Sequence, residues 1–172
     1  MTWKRAALYW LGFLALAAYY RVAIDSDRPQ PLASRRPFLE IATDQITALD
    51  VDRRGQRLHA ERVDGSWRAT TPAGSAVPSD LIGALVDSLT SIPDVEVVAE
   101  TVAATDDFGL QPPAATITLA RAQGAPIVID FGQLNPTSTA VYARRSDSPR
   151  VYLLGRNLDY YLDLLLSGVE AR

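Results

Sequence analysis

The sequence predicts an α+β domain carried behind an N-terminal membrane anchor. Three observations lead there. From Phe38 onwards, short apolar-rich runs alternate with turns bearing Gly, Pro and Asp, the pattern of antiparallel meanders. Two segments, 81–92 and 158–166, instead repeat their apolar residues at helical spacing. The stretch Ala6–Ile24, AALYWLGFLALAAYYRVAI, is apolar along its length, and its first fifteen residues carry no charge.

As a helix of 1.5 Å rise per residue, Ala6–Ile24 reaches about 28 Å, close to the ~30 Å of bilayer hydrocarbon. Trp3 at one end and Tyr19-Tyr20 at the other suit the two interfaces, and Arg21 is placed to snorkel. A cleaved secretory signal is the competing reading, with Lys4-Arg5 as its basic start and Ala15-Leu16-Ala17 as its cleavage signal. Tyr19, Tyr20 and Arg21 are bulky just past that cleavage point and favour a retained anchor. Gly12, Ala15 and Ala18 form a small-residue strip at i, i+3, i+6, where another helix could approach closely. Trp10, Phe13, Tyr19 and Tyr20 add aromatic surface to the same segment. The organisation expected is an anchor over 1–24, a linker over 25–37 with three prolines, and one domain over 38–172. Lys4 and Arg5 place the N-terminus in the cytoplasm and the domain on the extracytoplasmic side of the membrane.

Bulk properties narrow the function. Without Lys4, Arg5 and Arg21 the chain keeps 14 basic and 20 acidic residues, an acidic balance that argues against nucleic acid as a partner. It has no cysteine, hence no disulfide framework, thiol nucleophile or thiolate metal site.

The elements follow in order. Phe38–Ala42 and Ile46–Val51 read as apolar strand-like runs. Arg53-Arg54-Gly55-Gln56 is a turn, Arg57–Val63 a strand, Asp64-Gly65 a hairpin turn and Trp67–Thr70 a strand whose tryptophan anchors the core. After the loop Thr71–Pro78 a helix begins with Ser79 as N-cap and Asp80 in its first turn. Leu81, Ile82, Leu85, Val86, Leu89 and Ile92 form its apolar stripe, and Pro93 ends it. Val95–Ala99 is a strand. The turn-rich stretch 106–113 separates it from a second meander, Ala115–Ala120, Ile127–Phe131, Ala140–Arg144 and Val151–Leu154. A final helix, Leu158–Leu166, presents Leu158, Tyr161, Leu162 and Leu165 on one face. Meander plus helix thus occurs twice, a candidate duplication, on one antiparallel sheet or a pair of sheets.

Asp64-Gly65-Ser66-Trp67, the Leu81–Ile92 helix, Phe108-Gly109-Leu110-Gln111-Pro112, the strand end Asp130-Phe131-Gly132 and Ala140-Val141-Tyr142-Ala143-Arg144 occur in an order that resembles a bacterial family, the domain of unknown function numbered 4340. The resemblance covers about 38–166. It implies an N-terminal membrane anchor and an auxiliary role beside gliding-motility-type ABC exporter components. It brings no catalytic residues.

The residues themselves point away from an enzyme and from a bound cofactor. His59 is the one histidine, and mid-strand it reads as a solvent-facing residue rather than a base or metal ligand. Asp106-Asp107 lacks the spacing of a calcium loop, and no phosphate-binding glycine motif is present. Two arginine groups, Arg53, Arg54 and Arg57, and Arg144, Arg145 and Arg150, flank hairpin turns. They either solvate the tips or dock acidic partner surfaces and anionic headgroups. The expectation is a non-catalytic, single-pass accessory subunit that scaffolds a larger membrane complex, its partners being integral membrane subunits and the lipid bilayer. That host is an exporter, or an energy-transducing assembly such as a respiratory complex or photosynthetic reaction centre. The alternative is a membrane-tethered periplasmic ligand-binding module serving an ABC-type transporter.

Overall fold

Arg54 and Gly55 both take positive φ, 53° and 84°, which makes a two-residue turn whose twist matches that of the strands it joins. Such a turn fixes the register of everything behind it. In the computed structural model, which describes Trp3, Trp10, Phe13, Tyr19, residues 37–101 and residues 106–170, it joins β1 (Ile46–Arg53) to β2 (Gln56–Val63). The turn at Asp64-Gly65 then leads into β3 (Ser66–Thr71).

The chain forms two compact units, residues 1–34 and 35–172. Of the first, the four described residues are helical and exposed, and the Trp10 and Phe13 rings meet edge to face at 6.0 Å. The rest of the expected span, with Gly12, Ala15, Ala18 and Tyr20, and the linker up to residue 36 lie outside the described residues. Among the described residues no helix is long and apolar enough to cross a membrane.

The second unit is α+β: one eight-stranded antiparallel sheet and two helices. After β3 come α1 (Ser79–Thr90) and β4 (Glu96–Ala99), then β5 (Ala115–Arg121), β6 (Ile127–Leu134), β7 (Ala140–Arg145), β8 (Val151–Gly155) and α2 (Asn157–Glu170). The strand order is β3-β2-β1-β5-β6-β7-β8-β4. The two meanders therefore meet at β1 and β5 in the middle and run outward to opposite edges. Among the alternatives read from sequence, the single sheet is the one adopted. Pairing β1 with β5 joins the two meanders and brings the buried residues Leu49 and Val51 of β1 beside Leu119 and Ile117 of β5.

The core lies on one face of the sheet. Ile82, Leu85, Val86 and Leu89 of α1 and Leu158, Leu162, Leu165 and Leu166 of α2 are buried there against Leu49, Leu58, Ile117, Ile129 and Val141. Each such side chain contributes about 1.5–3 kcal/mol by leaving water. Trp67 is buried with them, as expected. Alternation does the rest: residues between these on each strand face the other way.

Three local expectations need correction. Phe38–Ala42 is not a strand. Phe38 and Leu39 are both buried outside any strand ladder, and the Phe38 N–H donates to the Ile92 carbonyl at 3.2 Å. Ser79 is not the N-cap of α1: Pro78 holds that position, and the Ser79 hydroxyl accepts the Trp67 backbone N–H at 3.0 Å, tying the helix to the edge strand. The helix also stops at Thr90, two residues before its apolar stripe does.

Candidate functional site

The face of the sheet opposite the core carries the chain's ordered polar chemistry. The Arg54-Gly55 turn sets Asp50 opposite His59 and Asp52 opposite Arg57. On the other side of β1, Thr118 stands beside Asp50 and Thr116 beside Asp52. Asp130 of β6 is opposite Thr116, and Arg144 of β7 is opposite Asp130. A single row, Arg57–Asp52–Thr116–Asp130–Arg144, thus crosses five strands. Arg57 donates to Asp52 at 2.7 Å, the Thr116 hydroxyl to Asp130 at 3.1 Å, and Arg144 to Asp130 at 2.7 Å.

The neighbouring row holds His59. Its Nδ1 lies 2.5 Å from Asp50 Oδ1 and its Nε2 lies 3.3 Å from Glu61 Oε1. The hydrogen bond to Asp50 raises its pKa above the usual 6.5, with partial burial opposing and Glu61 adding to the rise. Between β2 and the threonines of β5 this row borders an open groove of about 470 Å³. Both imidazole nitrogens face carboxylates, so the ring is a proton holder rather than a base turned towards a hydroxyl. Among the described residues no cluster of three or more His, Cys, Asp or Glu is placed to hold a metal ion.

The arginines singled out by sequence do not converge. Arg53 points to the core side, its side chain 14% exposed, and reaches Asp159 at 3.1 Å and Asp163 at 2.9 Å on α2. Arg54 sits exposed at the turn and Arg57 lies on the open face. In the second group Arg144 is on the open face, whereas Arg145 holds Asp147 at 2.6 Å, donates to the Phe38 carbonyl and lies 6.0 Å from the Phe38 ring centre. Arg150 pairs with Glu100 at 2.8 Å. The sequence reading does not single out Asp50, Asp52 or Thr116, and it names Asp130 only within the strand end Asp130-Phe131-Gly132. The signal was there for the first two: a two-residue turn at 54–55 fixes which residues of β1 and β2 face each other.

Beside the open face, Phe108 and Gly109 lie directly on Gly132 and Gln133 of β6. A Cβ on Gly132 would meet the Phe108 carbonyl oxygen, and Gln133 Nε2 donates to the Asp107 carbonyl at 2.6 Å. The Phe108 ring packs on Tyr142 of β7 with centres 4.9 Å apart. A family model described as a domain of unknown function, DUF4340, matches residues 67–169, which include both of these stretches. No curated protein and no solved structure matches the chain.

Proposed function

We propose that this chain, which belongs to the DUF4340 family, is a non-catalytic accessory subunit held in a bacterial inner membrane by one helix. The observation that carries the reading is the apolar, aromatic-rich stretch Ala6–Ile24, about 28 Å long as a helix, placed ahead of a single α+β domain. The domain lies on the extracytoplasmic side and scaffolds neighbouring integral membrane subunits of an exporter or an energy-transducing complex. The broad open face supports this, since Arg57–Asp52 and Arg144–Asp130 pair across it and leave a polar surface suited to contact. Arg54, Arg57 and Arg150 are the exposed docking candidates, and Gly12, Ala15 and Ala18 are the helix-contact candidates of the anchor. The two outward-running meanders, each followed by a helix, support the duplication reading.

A second reading rests on the groove beside His59: a tethered module that binds a small polar ligand for a transporter. Its lining has no Phe, Tyr or Trp and is open to solvent, which favours the scaffold.

The test is topology. The full-length protein is expected in the membrane fraction after alkaline extraction, with its C-terminal domain reached by protease only from the extracytoplasmic side. Release of the full-length chain by alkaline washing, or protection of the domain on that side, would contradict the reading.

A further inference from the structure

We propose that Asp50, His59 and Glu61 form a proton-dependent clasp at one edge of the sheet, closed while His59 is an imidazolium and slackening the β2–β3 hairpin when the ring is neutral. The geometry requires two donors. Nδ1 faces Asp50 at 2.5 Å and Nε2 faces Glu61 at 3.3 Å, and a neutral imidazole has one N–H to offer. On losing its proton the ring turns a lone pair towards a carboxylate.

The surroundings sharpen the effect. Asp50 and Asp52 face the ring's row from β1, Arg57 and Glu61 from its own strand, and Arg68 of β3 stands opposite Glu61. From β5 only Thr116 and Thr118 face it. With the imidazolium the charges balance, three against three; without it the anions are in excess. The hydrogen bond to Asp50, with Glu61 adding and partial burial opposing, raises the pKa of His59.

Position gives the clasp its consequence. Among the described residues β3 is an edge strand with β2 as its one sheet neighbour, and the β2–β3 register slips between His59 and Ala60. The clasp therefore ties β2 to β1 where the outer ladder is irregular. The ring is 31% exposed, open to exchange of protons with solvent. This inference does not depend on the membrane reading.

The experiment uses the full-length chain in mild detergent without a histidine tag. Because His59 is the one histidine, its imidazole resonances need no assignment. The expected midpoint lies above 6.5 and moves down in Asp50→Asn and in Glu61→Gln. Across that midpoint the opening of amides in residues 56–71, corrected for intrinsic exchange, rises by about two- to fivefold, the range an exposed ion pair supports. In His59→Gln the rise is absent. A midpoint at or below 6.5, or an equal rise in His59→Gln, overturns the proposal.

Discussion

A Cβ on Gly132 would stand 2.1 Å from the carbonyl oxygen of Phe108. That one approach explains why a glycine ends the apolar part of β6, and why a Phe-Gly turn precedes β5. The two stretches are far apart in sequence and lie backbone to backbone in the fold. Gly109 completes the fit with φ of 65° over the Gln133 backbone. Gly132→Ala is therefore expected to destabilise the domain by about 1–3 kcal/mol, the cost of forced displacement in a packed site. Denaturant unfolding of the full chain in detergent measures it.

Gly83 gives the contrasting case. It lies within α1, and a Cβ there would sit 3.6 Å from Trp67 Cδ1, an ordinary contact. Gly83→Ala is expected to stabilise by about 0.5–1 kcal/mol, because alanine restricts the unfolded chain and suits the helix. The same unfolding measurement should show a rise in midpoint with unchanged slope.

Arg53 pins α2 to the end of β1. Its near-buried guanidinium satisfies Asp159, whose side chain is 24% exposed, and Asp163, which is 62% exposed. Arg53→Met is expected to cost about 1–3 kcal/mol by leaving Asp159 unpaired. Asp163→Asn should cost under about 1 kcal/mol, as for a screened surface pair. Equal effects of the two substitutions would contradict this division.

The Arg145–Asp147 pair sets an acid limit. The hydrogen bond from Arg145 holds the Asp147 carboxyl below its usual 3.8, with partial burial opposing. A folded pKa below the unfolded one means that the stabilisation is present above about pH 3.8 and is lost as pH falls through the lower folded value. Asp147→Asn removes that part of the acid dependence, a difference of under about 1 kcal/mol given the exposure of Asp147. Unfolding midpoints of both proteins at pH 5 and pH 2.5 check the sign.

What the sequence disclosed follows from how local each signal is. The helix carrying the Leu81–Ile92 stripe and the strands either side of Arg54-Gly55 are written in spacing and turn residues, and they form, the helix ending at Thr90, short of Ile92. Phe38–Ala42 misleads because its apolar run resembles a strand, while its burial is decided by contacts with Ile92 and Tyr152 that lie far along the chain. Ser79 misleads for a related reason: a hydroxyl at a helix start suits a cap, but the edge strand's N–H at Trp67 competes for it and wins. The polar row from Arg57 to Arg144 needs the strand order β2-β1-β5-β6-β7, and its β1–β5 step joins residues more than sixty apart. Only its first rung, Arg57 with Asp52, is local enough to read from a turn. Arg53 and Arg57 show the limit within one hairpin, since two arginines four residues apart end on opposite faces of the sheet.

The central claim is that the chain serves a membrane complex, and co-purification tests it most directly. Full-length tagged protein is taken from membranes in mild detergent, and its partners are identified by mass spectrometry. The account predicts stoichiometric recovery of integral membrane subunits that is lost when residues 1–24 are deleted. Recovery of the full-length chain alone, as a stable monomer, would contradict it.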